Sequence, residues 1–187
     1  MASAATVVVL VGSLRKDSLN RKVANAVIAL NTTPLKFEFA EFGHLPLYNQ
    51  DLDGDNPPSA WVTFRQQIRS VDAALFVTPE YNRSVPGALK NALDVASRPY
   101  GKSSWDGKPV AVISVSPGAI GAFGANHHLR QSFVFLNMPA MQQPEAYIGG
   151  AADLFDADGK LKNETTRDFL SKFVQSFATW IEANRKR

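Results

Sequence analysis

Residues 12–20 read Gly-Ser-Leu-Arg-Lys-Asp-Ser-Leu-Asn. They follow an apolar, β-branched run at residues 6–11 and precede a segment of helical periodicity that starts at Leu19. A loop that leaves a buried strand and enters a helix presents unpaired backbone N–H groups, and the helix dipole favours an anion there. Ser13, Ser18 and Asn20 add neutral hydrogen-bonding groups, and Arg15 adds a planar charged fork suited to phosphate oxygens. The chemistry indicated is phosphate binding. No Gly-Lys-Ser/Thr follows, and the Gly-x-Gly-x-x-Gly pattern is absent, so neither a triphosphate P-loop nor an ordinary dinucleotide fingerprint is present. Read alone, the loop also fits a polar turn with a capping serine.

A second loop, residues 79–87, reads Pro-Glu-Tyr-Asn-Arg-Ser-Val-Pro-Gly. Its two prolines stiffen the backbone. Tyr81 offers an aromatic face, Asn82 and Ser84 offer hydrogen bonds, and a helix opening at Pro86 offers a second positive dipole end. A flat heteroaromatic ring finds a wall and edge contacts in such a loop. The plainer alternative makes Asn82 a turn residue and Tyr81 a core residue. A third loop, residues 116–124, is glycine-rich and carries Ser116-Pro117-Gly118.

The elements that must position these loops alternate five times. Strands are expected at residues 6–11, 35–41, 73–78, 110–115 and 140–148. Helices are expected at 19–30, from Ser59 to about 71, from Pro86 to about 97, after Gly124 to about 136, and at 165–184. That alternation packs most economically as an α/β doubly wound parallel sheet of five strands in the order 2-1-3-4-5, the flavodoxin type, with helices on both faces. Ligands in such sheets sit beyond the carboxyl ends of the strands at the switch point, where all three loops fall. With 187 residues and no linker or repeat, one domain spanning 1–187 is expected.

The pairing of Gly-Ser-Leu-Arg-Lys-x-Ser-x-Asn with Pro-Glu-Tyr-Asn-x-Ser-Val-Pro-Gly-x-Leu-Lys-Asn-Ala-Leu-Asp closely resembles the NADPH-dependent FMN reductase family, nearest to its bacterial quinone and chromate reductases. The resemblance spans Val7 to about Ile148. It implies non-covalent FMN, NADPH or NADH as transient hydride donor, and a homodimer or homotetramer with each flavin close to a subunit boundary. It implies that Ser13, Arg15, Ser18, Leu19 and Asn20 hold the phosphate and ribityl end. Pro79, Glu80, Tyr81 and Asn82 then line the isoalloxazine ring, and Ser116 and Gly118 close the other side. Asp17, a carboxylate in a phosphate loop, is expected to point to solvent. Arg83 stands where a tyrosine or small residue is common; it is expected to bias the pocket toward an anionic acceptor or the nucleotide phosphate, or to pair across a subunit contact. The implied reaction passes hydride from NAD(P)H to the flavin and then to an acceptor on the same face, with ping-pong kinetics and no protein nucleophile or dedicated base. Acceptors consistent with the resemblance are quinones, chromate, azo compounds, ferric chelates and free flavin.

Other readings are weaker. A flavodoxin-like electron carrier without its own NAD(P)H turnover is the alternative, but such carriers are typically acidic and the pI here is about 9.2. A phospho-receiver needs acidic residues at strand ends for Mg²⁺, whereas the first strand ends in Gly12-Ser13. The net charge is only +3 and its basic residues are scattered, apart from the terminal Arg185-Lys186-Arg187, so no nucleic-acid partner is expected. There are no cysteines, which excludes disulfides and thiolate-bound metals. The first apolar run is strand-length, so a cytoplasmic protein without a membrane span is expected. No metal site is expected: adjacent His127 and His128 diverge by about 100° on a helix, and the Asp156 and Asp158 spacing puts Leu161 where a calcium loop needs glycine. Trp105 fits either a tight turn before the fourth strand or an aromatic reaching toward a neighbouring flavin. The phenylalanine-rich tail helix fits core or an oligomer contact.

Overall fold

Five runs of apolar residues form strands: β1 (Thr6–Val11), β2 (Lys36–Phe39), β3 (Ala73–Thr78), β4 (Val110–Val115) and β5 (Ala146–Ile148). They pair in parallel in the order β2-β1-β3-β4-β5. The structure, a computed structural model, describes residues 4–185; Lys186 and Arg187 of the terminal basic run lie outside the described residues. β3 and β4 are buried at every position, as strands covered on both faces must be, which is why they read as unbroken apolar runs.

Side chains alternate across the sheet. Val7, Val9, Val11, Leu75, Val77 and Ile113 face one layer, shared with α1 (Leu19–Ala29) and α5 (Glu164–Asn184). Val8, Leu10, Ala74, Phe76 and Val112 face the other, shared with α2 (Ser59–Ser70), α3 (Gly87–Ala96) and α4 (Phe123–Phe135). In α5, Phe173, Phe177 and Ile181 are core residues. Trp105 is fully buried, stands near Phe64 and Phe76, and donates its indole N–H to the Leu93 carbonyl at 3.0 Å. It is a core anchor and does not project outward.

Two strands are shorter than their patterns suggest. β5 keeps only residues 146–148 of the expected 140–148, because Pro144 has no N–H to give to a ladder. Ala140 survives as an isolated bridge to Val110. β2 is an edge strand, only half-buried, and leaves the ladder after Ala40 donates to the Val9 carbonyl. In the α2–α3 layer, Arg65 grips Asp53 with two hydrogen bonds of 2.7 and 2.8 Å, and its Nε donates to the Val95 carbonyl at 2.8 Å. Both side chains are almost wholly buried. The hydrogen bonds from Arg65 hold the Asp53 carboxyl below the usual carboxylate range despite that burial.

Candidate active site

The carboxyl ends of β1, β3 and β4 lie side by side, so the loops that follow them form one continuous rim. The first two loops meet at Gly12. Its N–H donates to Val77 at 2.9 Å, and a Cβ there would lie 3.0 Å from Thr78 Oγ1 and 3.1 Å from Pro79. A Cβ here would be tighter than an ordinary contact, so glycine lets the phosphate-type loop press closely on the next loop.

Ser18 is buried and caps α1: its Oγ accepts the Arg21 N–H at 3.2 Å. Ser13 is buried, while Arg15 is exposed and makes no ion pair among the described residues. Asp17 is exposed, as expected. Leu19 opens α1 and packs against the core, and Asn20 is buried with its Oδ1 lacking a hydrogen-bond partner among the described residues. A buried amide oxygen without a donor is costly. A cavity of about 240 Å³ adjoins this loop, lined by Ser13, Arg15, Lys16, Arg21 and the segment 40–42. Arg21 is already committed to Glu41 at 2.9 Å, so Arg15 and Lys16 are the cations left to face an anion.

The second loop is a two-residue hairpin. Tyr81 and Ser84 exchange backbone hydrogen bonds of 3.0 Å, and Asn82 and Arg83 between them have φ of +50° and +65°. Positive φ at both central positions is the turn whose twist matches a hairpin. Tyr81 and Asn82 are exposed, and Pro79 is buried. The Glu80 side chain has a partner within the fold. Its Oε2 accepts the N–H of Ala125 at 3.1 Å, in the first turn of α4, so the carboxylate caps that helix. The formal cap residue, Ala122, has no side chain to do so. Gly124 favours this contact, since a Cβ there would lie 2.9 Å from Glu80 Oε2 and 3.0 Å from the Arg83 carbonyl. Ser84 Oγ and His128 Nδ1 lie 2.9 Å apart, a second tie between hairpin and α4. His127 lies 3.0 Å from the Tyr147 hydroxyl instead, so the two histidines serve different partners.

The third loop packs on the segment after β5. Ser116 Oγ donates to the Gly118 carbonyl at 3.0 Å, and that carbonyl also accepts Gly150 N–H at 3.3 Å. Gly149 faces Ala119 so tightly that a Cβ would come within 2.5 Å of its carbonyl oxygen. Phe123, His127 and Tyr147 cluster beside the loop, with the His127 and Tyr147 rings stacked and Phe123 tilted against both. Burial, then the hydrogen bond and charge of Glu145, push the Tyr147 phenol up to about 12. It therefore stays a neutral hydrogen-bonding group at ordinary pH. Among the described residues, no group of three His, Asp or Glu side chains is placed to hold a metal.

The residues present suit a phosphorylated, polyhydroxylated heteroaromatic group. Arg15, unpaired among the described residues, and the N-terminus of α1 suit an anion, and the buried Asn20 oxygen suits a hydroxyl donor. The sequence alone did not reveal Gly124 and His128 as supports of the Tyr81–Ser84 hairpin, or residues 40–42 as a cavity wall.

The sequence profile of the NADPH-dependent FMN reductase family matches residues 5–153. The chain is 63% identical to a quinone reductase from Pseudomonas putida over 185 residues, 99% of each chain. It is 48% identical to a 2-hydroxy-1,4-benzoquinone reductase from a Burkholderia species, over 96% of this chain and 97% of that one. The solved structure of FerB, a flavoenzyme NAD(P)H:(acceptor) oxidoreductase from Paracoccus denitrificans, superposes with a TM-score of 0.91 at 46% identity, covering 97% of this chain and all of that one. The chain belongs to the NADPH-dependent FMN reductase family and is an oxidoreductase that works with FMN and a reduced nicotinamide nucleotide.

Proposed function

We propose that the protein is an NAD(P)H:quinone oxidoreductase, with FMN held on the rim formed by the loops after β1, β3 and β4. The observation that carries the site is the continuity of that rim: an end suited to an anion, where Arg15 and the buried Asn20 oxygen have no partner among the described residues, adjoins a rigid hairpin through Gly12. The quinone acceptor is supported by the P. putida and Burkholderia relatives, both named for quinone reduction.

In this reading Ser13, Arg15, Ser18, Leu19 and Asn20 hold the phosphate and ribityl end, with the α1 dipole reinforcing Arg15. Pro79, Glu80, Tyr81 and Asn82 face the ring, Glu80 through its backbone because its carboxylate serves α4. Ser116 and Gly118 close the opposite side. When bound, FMN supplies a two-electron centre that takes hydride from the reduced nicotinamide and yields it to the quinone. The chain contributes orientation, a fixed donor set and exclusion of water, and no nucleophile is needed. The whole chain acts as one FMN-binding unit. A homodimer or homotetramer is part of the reading: Val134 and Phe135, at the end of α4, are 81% and 84% exposed and suit contact with a second copy. A cytoplasmic setting follows from a reduced nicotinamide nucleotide as donor. Among the described residues, no helix is long and apolar enough to cross a membrane.

The test is two-substrate kinetics with NADPH and a benzoquinone. Turnover with parallel double-reciprocal lines is expected. A protein that takes up FMN but never oxidises NADPH would be an electron carrier instead, and the proposed activity would be wrong.

A further inference from the structure

At the second central position of the Tyr81–Ser84 hairpin stands Arg83, with φ of +65°. This position favours glycine, because any Cβ crowds the backbone in the left-handed region. Asn82, the other central residue, is of a type that tolerates this conformation; arginine is not. The fold makes little use of the side chain that incurs the strain. The side chain is 80% exposed, and its one partner among the described residues is Glu80 Oε1 at 3.4 Å, a long contact. The other oxygen of that carboxylate is engaged with Ala125. A strained residue at an exposed tip, held in place by the Glu80 and Ser84 ties to α4, points to use of the side chain in function.

The charges of the reactants identify the use. Resting on the function proposed above, three molecules meet at this rim. The FMN phosphate is served by the loop at residues 12–20, and no quinone, whether neutral or a hydroxyquinone anion, carries a phosphate. Only the nicotinamide nucleotide brings further phosphates to the hairpin side. We propose that Arg83 is a specificity-determining residue that binds a phosphate of the reduced nicotinamide nucleotide. It swings from its loose contact with Glu80 to the nucleotide and selects the donor without touching the acceptor. An arginine suits this role because its fork engages phosphate oxygens in pairs.

The test compares the FMN-loaded parent with Arg83→Asn, which keeps a residue able to hold positive φ, and Arg83→Lys, which keeps the charge. NADP⁺ binding is read by titration calorimetry, kcat/KM is measured separately for NADPH and for a benzoquinone, and Tm checks the fold. Arg83→Asn is expected to weaken NADP⁺ and lower kcat/KM for NADPH by about fivefold, the scale of a solvent-facing charge contact. Its kcat/KM for the quinone, its FMN content and its Tm are expected to hold, and Arg83→Lys is expected to recover most of the loss. An Arg83→Asn protein that binds NADP⁺ as the parent does, while the parent turns over normally, would overturn the role of Arg83 alone. An equal loss for quinone and NADPH, accompanied by a smaller oligomer, would make Arg83 a subunit contact and overturn it too. A parent that neither binds NADP⁺ nor oxidises NADPH would refute the underlying function as well.

Discussion

Replacing Glu80 by alanine removes the carboxylate that caps α4 and anchors the Tyr81–Ser84 hairpin. The contact is a charged hydrogen bond of 3.1 Å to the Ala125 N–H, made by a side chain only 12% exposed, and Ala122 offers no substitute. Losing a side-chain cap of this kind costs about 1–2 kcal/mol. For a protein of this size that is a fall in Tm of about 2–8 °C. Gly124→Ala probes the same contact from the other side. In an ordinary helix that change would stabilise by up to about 1 kcal/mol. Here the new Cβ would meet Glu80 Oε2 at 2.9 Å and the Arg83 carbonyl at 3.0 Å, so the sign reverses and the hairpin must shift. Both variants should also bind FMN more weakly, and together they should cost less than the sum, since each damages one shared contact. Thermal unfolding and FMN titration of the two singles and the double supply the measurement. A Gly124→Ala protein as stable as its parent, or more so, would refute the clamp.

Arg15→Ala should weaken FMN by about tenfold to a hundredfold with little change in Tm, because its guanidinium is exposed and unpaired; fluorescence titration of FMN checks it. Arg65→Met leaves the Asp53 carboxylate buried without its cation and should destabilise by about 3–5 kcal/mol in denaturant unfolding. The pH dependence follows from the lowered Asp53 pKa. Its stabilisation is complete above the unfolded value of about 3.9 and is lost as pH falls through the folded value, so Asp53→Asn should flatten the acid limb of the stability curve. Gly149→Ala, which drives a Cβ to 2.5 Å from the Ala119 carbonyl and 3.0 Å from that of Gly118, should displace the third loop and lower both Tm and FMN affinity.

Much of this architecture was legible in the sequence because β1, β3 and β4 are covered on both faces, and burial of that kind leaves unbroken β-branched runs. The bounds of β3 and β4 agree with their patterns to the residue. β5 was misjudged in length because apolar composition alone does not register the missing N–H of Pro144. The loops that form the rim were legible from their donor types and order along the chain. The side-chain job of Glu80 was not, since its partner Ala125 is 45 residues away and carries no signal of its own. The strain at Arg83 was likewise invisible, because positive φ at a non-glycine is set by the hairpin twist and by ties to α4. Sequence placed Trp105 beside a turn, but only packing between Phe64 and Phe76 shows why an indole stands there.

The most direct test of the FMN rim is an anaerobic titration of the purified protein, first with FMN and then with NADPH. One flavin should bind per chain, its yellow absorption should bleach on adding NADPH, and a benzoquinone should restore it. A protein that takes up no FMN, or whose bound flavin stays oxidised under NADPH, would contradict the assignment of residues 12–20 and 79–82 as the site.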